Sequence, residues 1–389
     1  MKKRLNIFLL AFPLCPVFQI QAQEKPNLVF IMADQWRGNA LGCLGKEPVK
    51  TPCLDQLARE GVNFTNAVSS YPVSSPARGM LMTGMYPHKN KVTGNCNSAN
   101  APYGVELPQD ARCWSNILKA NGYQTGYIGK WHLDAPHKPY VDTYNNQGAV
   151  AWNEWCPKER RHGFDYWYSY GTYDVHKHPH YWDTEGVKHE INEWSPAHEA
   201  DKAISYLRNE GNVRDPNKPF FMMVSFNPPH SPYASLEDCM EEDYNLYKDL
   251  PLDSLLIRPN ANREMKKAPS VRYYFASVTG VDRAFGRILD ELEKQGLDKN
   301  TLVIFSSDHG ETMCSQNTDD PKNSPYAESM NVPFIVRFPG KVIPRIDSEL
   351  LLSSPDIMPT ILGLCGLEKQ IPATVEGRNY AGRFTGKDS

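Results

Sequence analysis

The chain is predicted to be an α/β protein built on one large, mainly parallel sheet flanked by helices. Three observations carry this expectation. Short apolar runs rich in Val, Ile and Phe lack clean alternation, as strands covered on both faces do. Segments with helical spacing lie between them and stop at glycines. The composition is that of an ordinary globular protein, with 389 residues, 40% hydrophobic and 22% charged, which allows one large domain or one with a smaller partner.

The first strand is expected over Leu28–Ala33 and the first helix over Leu54–Glu60, ended by Gly61. A helix over Trp114–Asn121 stops at Gly122, and a strand follows over Gly126–Gly129. A helix over Ala197–Asn209 stops at Gly211 and precedes a strand over Phe220–Phe226. The longest helix is expected from Ser270 to Gln295. Its apolar positions Val271, Tyr274, Val278, Val281, Phe285, Ile288 and Leu292 alternate steps of three and four before Gly296. Strands over Leu302–Ser306 and Pro333–Phe338 complete the pattern.

Residues 137–195 break that rhythm. They are crowded with Trp, Tyr, His and Pro and hold neither period. They are read as an insertion over the sheet edge, either a carbohydrate-facing rim or a lid filled with its own aromatics. Residues 1–22 combine Lys2, Lys3 and Arg4 with an apolar run from Leu5 to Phe18 and end at Ala22, the layout of a secretory signal peptide. Pro13 and Pro16 interrupt it, and it is too short to span a bilayer. No other run reaches transmembrane length, so an exported chain is expected, periplasmic, extracellular or associated with the cell surface. The nine cysteines are widely spaced with no CxxC pair, which argues against a zinc cage and leaves disulfide pairing open. A net charge of −3 argues against a nucleic-acid binder. The 31 prolines suit an enzyme with long irregular connections.

The unusual polar residues follow the strands. Leu28–Ala33 runs into Asp34-Gln35, and Gly126–Gly129 into Lys130-Trp131-His132. Phe220–Phe226 runs into Asn227-Pro228-Pro229-His230, and Leu302–Ser307 into Asp308-His309-Gly310-Glu311. Each alone is an ordinary loop residue. Together they point to a site, because open parallel sheets bind ligands beyond the carboxyl ends of their strands. Asp34, Gln35, Asp308 and His309 offer mostly oxygen donors for a hard cation, and the imidazole leaves its identity open. In Ser74-Ser75-Pro76-Ala77-Arg78, Pro76 suits a first helical turn with Ser75 as its cap. Ser74 would then lie just before a helix start, an anion site, with Arg78 one turn on. That is a plausible nucleophile with an oxyanion pocket.

At this point the chain resembles the type I sulfatases of the alkaline phosphatase superfamily. Ser74-Ser75-Pro76-Ala77-Arg78 followed by Leu81-Met82-Thr83-Gly84 is similar to their Cys/Ser-x-Pro-x-Arg signature with its Leu-x-Thr-Gly ending. Asn27–Phe30 leading to Asp34-Gln35, Thr51-Pro52 with Leu57–Gly61, Gly129–His132, Pro229-His230, Ser307–Gly310, and Lys322 upstream of Val332–Phe334 follow in the family's order. The likeness spans residues 25–365.

The resemblance implies an alkaline phosphatase/sulfatase-like fold and hydrolysis of sulfate esters. It implies that Ser74 is oxidised to formylglycine (3-oxoalanine), by a radical-type sulfatase-maturing enzyme since the residue is serine rather than cysteine. One hydroxyl of the hydrated aldehyde would attack sulfur, and deprotonation of the other would expel sulfate. Asp34, Gln35, Asp308 and His309 would hold one divalent cation, calcium in most relatives. Arg78 would steady this assembly. Lys130 and His132 would assist the hydrate, with His132 as base. His230 and Lys322 would bind sulfate and protonate the leaving oxygen. The family often has Asp at the position of Gln35 and Asn at that of His309, so the metal would be held more weakly or differ in kind.

The expected substrate is a sulfated glycan, such as a mucin O-glycan or a glycosaminoglycan fragment. Within the aromatic insertion, His176 and His178, with His137, His180 and Arg161, are candidate sugar contacts. Residues 23–370 would form the catalytic domain, and 371–389 the start of a C-terminal subdomain shorter than the family's. A phosphomonoester or phosphonate hydrolase of the same superfamily and an inactive sulfated-glycan binding protein are the competing readings.

Overall fold

A computed structural model describes residues 25–387, so the expected signal peptide lies outside the described residues. The strands are β1 Asn27–Ala33, β2 Val62–Phe64, β3 Ala67–Val68, β4 Gln124–Lys130, β5 Tyr166–Tyr170, β6 His180–Trp182, β7 Lys188–Glu190, β8 Phe220–Phe226, β9 Thr301–Ser307, β10 Phe334–Arg337, β11 Arg345–Asp347 and β12 Leu352–Ser353. Ten of them form one sheet in the order β11-β2-β10-β9-β1-β8-β4-β5-β6-β7, and β3 pairs with β12. The centre, β9-β1-β8-β4-β5, is parallel throughout. The strand expected over Pro333–Phe338 is present but antiparallel to β9.

β1 shows why the runs did not alternate. Val29, Ile31 and Ala33 enter one core, and Leu28, Phe30 and Met32 enter the other. A central strand has no solvent face, so both of its periodic sets are apolar. The long helix spans Val271–Lys294. All seven of its predicted apolar positions are fully buried, which is what a stripe of alternating three- and four-residue steps requires. It packs against helix Ser195–Leu207 on one face of the sheet.

Two expectations need correction. Residues 137–195 are more than a covering loop, because they supply β5, β6 and β7 and widen the sheet. Their aromatics fill the core beside those strands: Tyr168, Tyr170, Tyr173, Tyr181 and Trp182 are buried. The strands were illegible because each is short and two of them lie outside the parallel centre. The second correction concerns the helix at Ser74, which spans Ser74–Thr83 with extended Val73 before it. Ser75 is therefore inside the first turn and does not cap it. Its hydroxyl donates to the His132 carbonyl at 2.7 Å and accepts the Cys96 amide at 3.0 Å. Pro76 still fits, because first-turn N–H groups have no helical acceptor.

Residues 371–387 return to the same body. The amides of Glu376 and Gly377 bond to the Gly84 carbonyl. Phe384 stacks on Phe64 with ring centroids 4.3 Å apart. The eight described cysteines are all free thiols.

Gly129 shows how tightly the sheet closes under the site. Its φ is +97°, and a Cβ there would lie 2.2 Å from the Ser225 carbonyl oxygen of the neighbouring strand. Gly122 has φ +89° with no atom within 4 Å of that position. Gly129→Ala should therefore destabilise the protein by about 3 kcal/mol or more, combining strain with overpacking. Gly122→Ala should cost only about 1 to 2 kcal/mol of strain. Chemical denaturation of both variants measures the difference.

Candidate active site

Strand register builds the site. Ala33 pairs with Ser307 on one side and Phe226 on the other, and Gly129 pairs with Ser225. The four strands end nearly level, so Asp34, Asp308, Asn227 and Lys130 emerge along one edge. Gln35 and His132 then take left-handed backbones, with φ 64° and 53°. Such conformations are uncommon outside glycine and cluster at functional sites. Asp308 holds the first of these turns by accepting the Gln35 amide at 3.2 Å and the His309 amide at 2.9 Å.

Four buried charges sit at the centre. Arg78 reaches up from the Ser74–Thr83 helix. It donates to Asp308 Oδ2 at 3.0 Å, Asp34 Oδ2 at 3.1 Å, the Lys130 carbonyl at 2.8 Å and Ser225 Oγ at 2.8 Å. Lys130 Nζ lies 2.6 Å from Asp34 Oδ2 and 3.0 Å from Asn227 Oδ1. Burial alone would push the Asp34 carboxyl up, but nearby positive charge, Lys130 foremost, outweighs it and holds it well below the usual range. Burial works against the Arg78 charge, yet Asp308 and Asp34 raise its affinity for the proton.

Ser74 faces this cluster. Its Oγ lies 3.3 and 3.4 Å from the Asp34 carboxylate oxygens and 3.1 Å from His309 Nε2. One donor atom each from Asp34, Asp308 and His309 lies within 4.8 Å of the others. His309 Nδ1 is 3.0 Å from the Gly310 carbonyl, which assigns the proton to Nδ1 and leaves the Nε2 lone pair free. The Gln35 amide donates to Glu311, while its Oε1 is buried without a partner. An orphaned buried carbonyl beside two carboxylates and an imidazole lone pair fits a cation. Glu311, which sequence reasoning left without a role, sets the orientation of that amide.

A cavity of 790 Å³ opens over Ser74, lined by Lys130, His132, His230 and Lys322. Both ring nitrogens of His132 are buried without partners. Burial, followed by the charges of Lys130 and Arg78, depresses its basicity well below that of an ordinary histidine, so the ring is neutral near neutral pH. Lys322 Nζ lies 2.8 Å from His230 Nε2. The site brings together every residue expected to be catalytic or to hold the cation. It also adds Asn95, Thr172, Asp174 and seven residues between Tyr144 and Trp152 to the cavity wall.

The expected sugar contacts are elsewhere. His176 is buried and His178 exposed, and both border a separate cleft of 350 Å³ against residues 232–238. The chain turns away after Asp174, and the His176 carbonyl accepts the Ser195 amide at 2.8 Å. His180 stacks on Tyr173 with centroids 4.4 Å apart. Arg161 binds the carbonyls of Cys156 and Thr184. His137 lies exposed beside Glu106. The insertion's histidines thus serve mainly its own packing.

A parallel sheet whose strand ends gather a buried serine, a cation nest and a ring of basic side chains defines an ester hydrolase acting on a charged oxyanion group. The sulfatase family model matches residues 26–367, and the chain belongs to that family: it is a sulfuric ester hydrolase. It is 59% identical over 379 residues to an endo-4-O-sulfatase of Bacteroides thetaiotaomicron, covering 93% of this chain and 73% of that protein. It is 36% identical to an ulvan-active sulfatase of Formosa agariphila, covering 94% of this chain and 66% of that protein. A solved structure described under the metabolism of multiple glycosaminoglycans by Bacteroides thetaiotaomicron superposes with a TM-score of 0.91 at 57% identity, covering 94% of this chain and 78% of that one. The phosphonate monoester hydrolase of Agrobacterium radiobacter, at 22% identity and a TM-score of 0.66, shares the fold.

Arg78→Met should leave two buried carboxylates poorly compensated and destabilise the protein by about 3 to 5 kcal/mol. Added divalent cation should recover part of that loss in a denaturation experiment. The buried histidines set a pH response. His176 is depressed to about 4 and His180 to about 3, chiefly by burial. The unfolded chain takes up these protons near pH 6.5 and the folded one does not. Stability should therefore fall as pH drops below about 6.5, by up to about 1.4 kcal/mol per pH unit for each group. Thermal melts from pH 8 to 5 check the sign, and His176→Asn should flatten the slope.

Proposed function

We propose that the protein is exported and hydrolyses sulfate esters on a sulfated glycan, using a formylglycine made from Ser74 and one divalent cation, calcium foremost. The observation that carries the reading is the placement of Ser74 Oγ, 3.1 Å from His309 Nε2 and 3.3 Å from Asp34, under a cavity walled by Lys130, His132, His230 and Lys322. The glycan is supported by the endo-4-O-sulfatase and ulvan-active sulfatase relatives. Export is supported by the signal-peptide pattern of residues 1–22.

Formylglycine supplies a geminal diol in place of one hydroxyl, so sulfate release needs no water at the crowded sulfur. A divalent cation held by Asp34, Gln35, Asp308 and His309 would supply positive charge against the sulfate oxygens. The chain's own residues do the rest. Lys130 and Lys322 attract and orient the sulfate. Arg78 holds the two aspartates in place from beneath, at 3.0 and 3.1 Å. The neutral His132 accepts a proton at position 74. His230, beside Lys322, protonates the departing oxygen. A serine substrate for maturation implies a radical-type maturing enzyme as partner.

A peptide covering Ser74, taken from protein made with that maturing enzyme, should be about 2 Da lighter than its sequence mass. Ser74→Ala should lower kcat/KM on an aryl sulfate by about 10⁴-fold or more, and the parent enzyme carrying the matured residue 74 should prefer the aryl sulfate over the matching aryl phosphate. Full activity with an unmodified Ser74, or a preference for the phosphate, would refute the reading.

A further inference from the structure

We infer that Asp174 is a positioning residue for leaving-group protonation: it holds His230 with the proton on Nδ1 and steadies the imidazolium that delivers a proton from Nε2. The inference rests on the sulfate-ester chemistry proposed above and assigns a part in it to the segment between β5 and β6. Asp174 Oδ1 lies 3.3 Å from His230 Nδ1. The same nitrogen is 2.7 Å from the Ser231 carbonyl. Both neighbours only accept hydrogen bonds, so Nδ1 carries the hydrogen. Nε2 faces the Lys322 ammonium at 2.8 Å, which only donates. The resting imidazole is therefore neutral, with its free lone pair turned toward the cavity's lysine.

Among the described residues, the Asp174 carboxylate has no ion-pair partner but His230. Its side chain is 48% exposed and lines the cavity over Ser74. Burial would raise its carboxyl, but the hydrogen bond from the His230 ring and the nearby Lys130 charge outweigh that and hold it ionised. Burial also lowers the Lys322 ammonium, which eases transfer of its proton to the ring. A carboxylate at one imidazole nitrogen fixes the tautomer and favours the protonated ring, so the other nitrogen becomes a better acid–base relay.

The step balances. A proton passes from Lys322 Nζ to His230 Nε2. The oxygen at position 74 bonds to sulfur as its proton passes to His132, the S–O bond to the leaving group breaks, its electron pair stays on the ester oxygen, and that oxygen takes the Nε2 proton. His230 ends neutral with Nδ1–H still held by Asp174. The Lys322 amine regains its proton from water.

Asp174→Asn removes the charge and keeps the shape. Turnover is compared on 4-nitrophenyl sulfate, whose departing phenolate needs no proton, and on phenyl sulfate, whose leaving group is far more basic. The expected result is a fall in kcat/KM of about 10- to 100-fold on phenyl sulfate, with 4-nitrophenyl sulfate within about threefold of the parent enzyme. The ¹⁵N titration of His230, independent of turnover, should show the ring taking up its second proton at a lower pH than in the parent, because the Ser231 carbonyl still holds Nδ1–H and only the carboxylate charge is lost. Asp174→Glu should restore part of both readouts, and it serves if the asparagine variant folds poorly. Equal losses on both esters would reduce Asp174 to a structural part and overturn the inference. Unchanged turnover on both esters with an unchanged His230 titration would also overturn it, leaving Asp174 as a sugar contact. If the parent enzyme cleaves neither ester, the proposed reaction fails, and the His230 spectrum alone decides whether Asp174 governs the ring.

Discussion

Two carboxylates and two cations share a space that water does not reach. Asp34, Asp308, Arg78 and Lys130 each have side chains no more than 2% exposed. Any one of them alone would be costly to bury, and removing one leaves its partners uncompensated. The geometry is therefore all or nothing. Arg78 spans both aspartates because a guanidinium presents its donors as a rigid fork. It comes from a helix, while its partners come from three different strand ends. The charge cluster ties the Ser74–Thr83 helix to the sheet and aims Ser74 at the cation nest in the same act. Helix Ser354–Leu364 braces that helix from outside.

Such a cluster needs a backbone that does not drift. The level ends of β1, β4, β8 and β9 provide it, and close approaches such as Gly129 against the Ser225 carbonyl hold the strands at one spacing. The left-handed turns at Gln35 and His132 swing the next side chains back over the strand ends. Strain there is tolerated because hydrogen bonds surround it: Asp308 accepts two amides of its own and the facing loop, and the Ser75 hydroxyl is tied to the His132 carbonyl. Above this floor the cavity wall is drawn from irregular segments, the 144–152 stretch and the stretch after β5. That division suits an enzyme whose reacting group is constant and whose leaving group varies.

Much of the floor was legible in the sequence, because it lies where strand patterns stop. Asp34, Lys130, His230 and Asp308 each follow an apolar run within a few residues, and Ser74 and Arg78 sit one helical turn apart. The walls were not legible. Asp174 is one polar residue in a segment without period, and its link to His230 joins residues 56 positions apart (230 − 174). For the same reason the sequence could not show that His176 and His178 border a neighbouring cleft rather than the cavity over Ser74. Composition says that a histidine is available, but not whether it is packed inward, as His176 is, or left outside the cavity, as His178 is.

Alone, the sequence determined the two-sided burial of the central strands, the stripe of the long helix, and the chemistry waiting at each strand end. These follow from periodicity and residue type, which act over a few neighbouring positions. Only the tertiary structure decided that β10 runs against β9, that residues 137–195 extend the sheet, and that Glu311 takes the Gln35 amide and leaves its carbonyl without a partner. Those outcomes depend on register and on contacts between distant segments. Their energies come from burial and charge pairing in three dimensions, and no local pattern in the chain records them.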